Sequence, residues 1–303
     1  MKKLWSNKET ETLKKLKADG LYSDYEIAQK MGRTFDSVNS KLTKLKRAGL
    51  LLPPEVPESQ FKVWDDPLRF EGDALILTDV EAPFQHTELI NRALDLSDAW
   101  GIKNLVLGGD QLHNESLSAW GAVWTDEEEK PTLAGEMKEA KKVFKAFEMF
   151  ADKWVILGNH DDRYVRALER AVKPRELLTQ MGIGEQDESW KIAPYYHMGI
   201  DTSKGLYRIT HPRGAGKNQA EVLAVQYHCH VIMGHSHRFL KGRDPSGDYW
   251  AIQAGHCVDE TRLNYVMARD AKRDAHMPAC ILIRDGFPFD LCLDTPWDIM
   301  KRM

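Results

Sequence analysis

From residue 74 onward the sequence alternates short apolar runs with helical patterns, and run after run breaks off into a loop that carries Asp, Glu, Asn or His. The runs at 74–78, 104–107, 154–157 and 230–233 are rich in Leu, Ile and Val and read as buried strands. Between them, 87–99, 133–152 and 217–227 place apolar residues at helical spacing. Further strand-like segments follow at 250–253 and 280–283, with a turn at Asp285-Gly286. Strands alternating with helices constrain this part of the chain to a layered α/β domain.

The loops that end the strands share one chemistry. They read Asp79-Val80-Glu81, Gly108-Gly109-Asp110, Gly158-Asn159-His160-Asp161, then His211 after Tyr207-Arg208-Ile209-Thr210, and Gly234-His235-Ser236-His237. In open α/β sheets functional groups gather beyond the C-terminal ends of strands. Carboxylate, amide oxygen and imidazole are the donors suited to hard or borderline divalent metals, and glycine lets the backbone turn sharply beside them. One Asp after a strand is ordinary helix capping, and one His is ordinarily a satisfied polar residue. The whole series, in this order, points to a metal centre.

That series resembles the calcineurin-like metallophosphoesterases, whose motifs run DxH, GD, GNH[DE], H and GHxH, and the resemblance spans roughly residues 74 to 258. It implies a four-layer α/β/β/α sandwich around two mixed sheets, and two divalent metal ions, Mn2+ foremost with Mg2+, Fe2+ or Zn2+ as alternatives. By the same resemblance Asp79, the residue at Glu81 and His237 hold the first ion, Asp110 bridges both, and Asn159, His211 and His235 hold the second. His160 is the implied general acid, oriented in its charged form by Asp161. Two such ions clamp a phosphate and ready a bridging hydroxide for in-line attack. One position departs from the family: Glu81 stands where His is usual. Three readings stay open: Glu81 binds the first ion, His86 or His113 substitutes for it, or the first site is weak.

Composition matters most at the N-terminus. The chain of 303 residues has a net charge of −4, but residues 1–52 hold 12 Lys+Arg against 6 Asp+Glu, leaving 30 against 40 in the rest. A basic head on an acidic body is where contact with a polyanion would begin, unless its lysines are only solvated helix faces. Three short helices are legible in the head. Ser6-Asn7-Lys8-Glu9 and Ser23-Asp24-Tyr25-Glu26 are capping boxes, with Gly20 and Gly32 as stops, and Thr34 caps a third helix with Val38, Leu42 and Leu45 inward. Trp5 and the stretch Gly32-Arg33-Thr34-Phe35-Asp36-Ser37-Val38 resemble Myb/SANT-like helix-turn-helix modules. Such a module implies DNA binding through Ser37, Asn39, Ser40, Lys41 and Lys44 of the third helix; some members of that family bind proteins instead.

The expected organisation is therefore a small all-α three-helix domain at 1–52, a Pro-bearing linker at 53–70 and the α/β sandwich at 71–303. No stretch approaches the roughly 20 apolar residues of a membrane span. Cys229, Cys257, Cys280 and Cys292 form no CxxC pair, so a cytoplasmic setting is expected. The expected activity is a DNA-directed phosphodiesterase or nuclease. The alternatives are a phosphomonoesterase or protein phosphatase whose head binds a partner, and a non-catalytic DNA-binding protein with a decayed site. His228 and His230 read as packing residues. Trp120 and Trp124 could stack on a base or be buried, 126–129 read as a solvated acidic loop, and Arg213 and Lys217 could meet phosphate or solvent.

Overall fold

The computed structural model of the protein describes residues 4–18, 22–48, 50, 68–118, 131–168, 174–184, 187–193, 195–263 and 276–303. The expected linker from 53 to 67, Gly20, Trp120, Trp124 and the acidic run 126–129 lie outside the described residues. The chain divides into two compact units, Met1–Asp65 and Asp66–Met303.

The first unit contains α1 (Asn7–Ala18), α2 (Asp24–Lys30) and α3 (Phe35–Arg47). Both capping boxes form: Ser6 with Glu9, and Ser23 with Glu26. Thr34 caps α3 by accepting from the Ser37 N–H. Leu13, Ile27, Val38, Leu42 and Leu45 close a small core. Arg33 ties the start of the unit to the α2–α3 turn. Its guanidinium lies 4.2 Å from the Trp5 ring, pairs with Glu9 at 2.9 Å and donates to the Leu4 carbonyl.

The second unit holds two six-stranded sheets. Its strands are β1 (Arg69–Glu71), β2 (Ala74–Leu77), β3 (Asn104–Gly108), β4 (Asp152–Ile156), β5 (Trp190–Ile192), β6 (His197–Thr202), β7 (Gly205–Thr210), β8 (His230–Met233), β9 (Phe239–Arg243), β10 (Trp250–Ala254), β11 (Ala279–Arg284) and β12 (Phe287–Cys292). One sheet runs β12-β11-β2-β3-β4-β5 and the other β1-β6-β7-β8-β10-β9. The strands β2 to β5 are mutually parallel, as are β7, β8 and β10, while β11, β12 and β9 run antiparallel to their neighbours.

Alternation along each strand builds the layers. Ala74, Ile76, Val106, Trp154, Ile156, Ile281 and Ile283 of the first sheet meet Met198, Ile200, Tyr207, Ile209, Ile232 and Ile252 of the second. The intervening residues Leu75, Leu77, Leu105, Leu107, Val155 and Leu282 face the opposite way. There they pack on the helices α4 (Thr87–Ala99) and α5 (Leu133–Lys145). On the far side, Val231, Met233 and Ala251 pack on the helix Gln219–Tyr227. The helices α6 (Asp161–Ala167) and α7 (Pro174–Gln180) follow β4, and α8 (Gln219–Tyr227) follows β7. The order helix, sheet, sheet, helix is the four-layer arrangement expected.

Several boundaries differ from the sequence reading. The strand β1 begins at Arg69, inside the stretch read as linker, because it pairs with β6. The pattern read as one helix over 133–152 ends at Lys145. A 3-10 turn, Ala146–Met149, then buries Phe147 before β4 begins at Asp152. Gly108 continues β3 rather than starting its loop.

Candidate metal centre

The C-terminal ends of β2, β3 and β4 from one sheet and of β7 and β8 from the other deliver their loops to one place. Hydrogen bonds knit the loops together: Asp79 and Glu81 N–H donate to the Gly109 and Asp110 carbonyls, and His235 N–H donates to both Asp79 carboxylate oxygens at 3.0 and 3.1 Å. The backbone is strained where it presents these side chains. Asp79, Glu81, Asp110, His235 and His237 all have left-handed φ, from 46° at Glu81 to 74° at His235. Non-glycine residues hold such angles at a cost of about 1–3 kcal/mol each, and they cluster at functional sites. Two glycines make the close approach achievable. A Cβ on Gly158 would lie 2.1 Å from Asp110 Oδ1, and one on Gly109 would lie 2.0 Å from His211 Nδ1.

Two donor sets result. In the first, Asp79 and Glu81 are fully buried, and His237 Nε2 lies 3.6 Å from Asp79 Oδ1 and 3.1 Å from Glu81 Oε1. In the second, His211 Nε2 lies 3.2 Å from Asp110 Oδ2 and 3.3 Å from Asn159 Oδ1, and the rings of His211 and His235 are 5.1 Å apart. Asp79, Glu81 and His237, and likewise Asp110, His211 and His235, bring donor atoms within 4.8 Å of one another. These are candidate metal-binding clusters, and the site residues predicted as ligands all take part in one set or the other. Asp110 groups with the second set, and its Oδ1 accepts the His160 backbone N–H at 2.7 Å.

The donors fit divalent cations on two further counts. Glu81 Oε1 is buried and receives no hydrogen bond. The far nitrogen of two ligand imidazoles is already engaged: His211 Nδ1 meets the Gly108 carbonyl at 3.2 Å and His237 Nδ1 meets Glu260 at 2.9 Å. Such outer partners fix a ring so that its other nitrogen faces the metal. Oxygen from Asp79, Glu81, Asp110 and Asn159 with imidazole nitrogen from three histidines is a mixed, hard-leaning set.

Burial and mutual charge set the electrostatics. Burial lifts Asp79 to about 6, helped by Asp110 and Glu81 and opposed by His211 and His237. Burial acts against the charge of His211, but Asp110 attracts and hydrogen-bonds it and raises it to about 9. Burial, with the His211 charge, lowers His235 to about 4, leaving a neutral imidazole. Glu81 falls well below the ordinary range despite its burial, because His160 and His113 attract it, His113 bonds to it and His237 Nε2 lies 3.1 Å from its other oxygen.

His160 lies between the sets, its Nδ1 3.8 Å from Glu81 Oε2 and its Nε2 4.0 Å from Asp110 Oδ2. Its surroundings correct the sequence reading of Asp161. That carboxylate does not reach the His160 ring. It accepts the backbone N–H groups of Gln111, Leu112 and Gly158 at 2.8 to 3.3 Å, so it holds the loops after β3 and β4 together. The ring is set instead by the His113 carbonyl at Nδ1 and by Arg163 Nη2, 3.2 Å from Nε2. Nor is the charged form favoured. Burial lowers the His160 pKa, with Asp110 and Glu81 only partly opposing it.

The two residues named as substitutes in the first set are placed differently. His86 caps α4, its Nδ1 accepting from the Leu89 N–H, and it joins none of the clusters. His113 stands behind Glu81 and contacts Glu115 with its other nitrogen, and with Glu81 and His160 it forms a further group whose donor atoms lie within 4.8 Å of one another. Sequence reasoning missed Glu115, Arg163 and a group beside the first set, where Glu260 Oε1 contacts both His237 and His276 at 2.9 Å and His256 is buried next to them. Gly255-His256 directly after β10 repeats the strand-end pattern of the other loops and was the available signal. Of the two histidines read as packing residues, His230 is one, its nitrogens bonded to the Lys204 carbonyl and the Trp250 N–H, whereas His228 is exposed and caps α8 with a left-handed φ of 50°.

In the first unit, Asn39, Ser40 and Lys44 of α3 are exposed, while Ser37 and Lys41 are half-buried, with the Lys41 ammonium 5.8 Å from the Trp5 ring. Among the described residues no helix is long and apolar enough to cross a membrane.

No family model and no curated protein matches the chain. Among solved structures it is similar to a conserved uncharacterized protein from Streptococcus pneumoniae TIGR4, described as a predicted phosphoesterase. The identity is 10% and the TM-score 0.34, over 72% of this chain and 87% of that one. It is also similar to Yfce, a phosphoesterase from E. coli, at 14% identity and TM-score 0.36, over 73% of this chain and 100% of that one. At these identities and scores neither likeness decides what the chain does, and the ligand geometry stands on its own.

Proposed function

We propose that the chain is a metal-dependent phosphoesterase that cleaves phosphodiester bonds in DNA. The observation that carries this reading is the pair of donor sets, Asp79/Glu81/His237 and Asp110/Asn159/His211/His235, with His160 between them. Divalent cations held there, Mn2+ foremost given the four oxygen donors, would supply Lewis-acid activation of phosphate and water.

The remaining work falls to the chain's own groups. The Nδ1 of His160 donates to the His113 carbonyl, so the neutral ring presents an unprotonated Nε2, and a proton taken up at Nε2 is the one it would pass to a leaving oxygen. Arg163, 3.2 Å from that nitrogen, is a cation within reach of a phosphate oxygen bound beside it. Asp161 keeps the loops that carry Asp110 and Asn159 in register through its three backbone partners.

The basic first unit supports the choice of DNA. Its excess of cations and the exposed Asn39, Ser40 and Lys44 on α3 suit a helix laid against a duplex. Tethering such a unit to the centre raises the local concentration of DNA there. The four cysteines are free thiols, which suits a reducing, cytoplasmic setting.

The test is a screen of divalent metals against bis-p-nitrophenyl phosphate, p-nitrophenyl phosphate and single- and double-stranded DNA, with Asp110→Asn as control. The reading expects Mn2+-dependent cleavage of diesters that Asp110→Asn abolishes. Deletion of residues 1–52 should spare small-diester cleavage and weaken DNA binding and its salt dependence. Cleavage of the monoester far faster than of any diester would overturn the diesterase reading, and unchanged DNA binding after the deletion would overturn the role of the first unit.

A further inference from the structure

Beside the second donor set the α/β unit has a cleft of about 530 Å3 that the proposed chemistry does not use. Asn159, His211 and His235 line it, so whatever occupies the second set borders this space; Arg166, Arg213 and Tyr196 line it as well. Its volume lies within the roughly 300–1,000 Å3 of ligand pockets and leaves room beyond one reacting phosphate.

The polar groups of the cleft differ in how they are engaged. The Asp162 carboxylate accepts the Tyr196 hydroxyl at 2.6 Å and lies 4.0 Å from Arg166. Arg166 also donates to the backbone carbonyls of Asn159 and Asp162, which fixes its position on α6. Arg213 is exposed and, among the described residues, makes no hydrogen bond or ion pair. It follows the ligand His211 by way of Pro212, whose restricted φ limits how far the loop can carry it from the second set. The cleft thus has one carboxylate, already engaged, and one uncommitted guanidinium, the group whose planar fork matches phosphate.

We propose that this cleft is a second-phosphate subsite, in which Arg213, supported by Arg166, binds a phosphate adjacent to the one that reacts. This rests on the phosphoesterase reading and names its substrate class: molecules in which two phosphates neighbour each other. Two sources share that chemistry, the backbone of a nucleic acid and the anhydride of a nucleoside diphosphate. Arg213 serves both in the same way, and the length between phosphates separates them.

The experiment is calorimetric binding to the full-length, Mn2+-loaded protein and to Arg213→Gln. The probes are thymidine 5′-phosphate and thymidine 3′,5′-bisphosphate for the backbone, and AMP and ADP for the anhydride. The wild type is expected to prefer the two-phosphate member of at least one pair, and Arg213→Gln to reduce that preference about tenfold. Loss in the bisphosphate pair assigns the subsite to backbone phosphate, and loss in the ADP pair alone assigns it to an anhydride. No preference in the wild type, or an undiminished preference in Arg213→Gln, overturns the proposal. Binding is read without turnover, so a protein that discriminates in this way yet cleaves none of the screened esters refutes the phosphoesterase reading and leaves the subsite standing.

Discussion

His113 holds Glu81 from behind: its Nδ1 contacts Glu81 Oε2, while Glu81 Oε1 turns toward His237 Nε2 at 3.1 Å. The other nitrogen of His113 contacts Glu115 at 2.9 Å, so one buried imidazole lies between two carboxylates. Burial opposes a charge on His113, but Glu81 attracts it and both carboxylates bond it, and its pKa rises to about 9. The buried Glu81 carboxylate thus has a counter-charge built into the core.

Removing that support should loosen the first metal. His113→Gln should weaken Mn2+ binding about 10–100-fold, as loss of an outer partner typically does. Titration calorimetry would read the change. Glu81→His should in turn shift preference toward Zn2+ or Co2+. Binding by His113→Gln as tight as wild type, together with an unmoved preference in Glu81→His, would show that Glu81 is no ligand.

His160→Ala should slow turnover by about 10²–10⁴ while leaving metal binding nearly unchanged. The loss should shrink for esters with good leaving groups, which need little protonation. Asp161→Asn should behave differently, because its carboxylate serves backbone N–H groups. It should cost about 1–3 kcal/mol of stability through donors left unpaired, seen as a lower unfolding midpoint in a denaturant titration. A leaving-group dependence in Asp161→Asn matching that of His160→Ala would restore Asp161 as the orienting acid.

Gly109→Ala tests the close approach of the loops. Its φ of 103° disfavours any side chain, and the new Cβ would lie 2.0 Å from the His211 ring. The variant should lose stability by more than the about 1–3 kcal/mol of backbone strain alone, and His211 should be displaced from Asp110. Thermal unfolding and metal stoichiometry together would show both effects, and full two-metal occupancy at wild-type stability would contradict the geometry.

Glu9 provides a pH test in the three-helix unit. The Ser6 backbone N–H, the Arg33 guanidinium and the Ser6 hydroxyl lower its pKa from 4.5 to about 2. A depressed carboxylate contributes stability that is complete above its unfolded value and is lost as pH falls through its folded value. The melting temperature of residues 1–65 expressed alone should therefore decline between about pH 4.5 and pH 2. In Glu9→Gln that part of the decline should be absent. Parallel pH profiles for the two would show that the capping box and its arginine do not hold the unit together.

The residues themselves settled whatever depends on near neighbours. The caps Ser6, Ser23 and Thr34 and the inward Val38, Leu42 and Leu45 follow from helix chemistry within a few positions. The helix read at 87–99 and the strand His230–Met233 fall where the periodicity places them. The candidate ligands were legible because each lies just beyond a buried strand, a local signature repeated from loop to loop. Short strands such as β1 and β5 were not legible, since three residues carry no period and exist only by pairing with β6 and β4. Which strands form which sheet was equally hidden, since pairing is decided by partners far along the chain. Tertiary structure alone put His113 behind Glu81 and Glu260 behind His237, across 32 and 23 residues of sequence. It also turned Asp161 toward three backbone N–H groups and away from the ring next to it. In a buried site, a carboxylate goes to the donors that would otherwise be left unpaired, and those are set by how the loops meet.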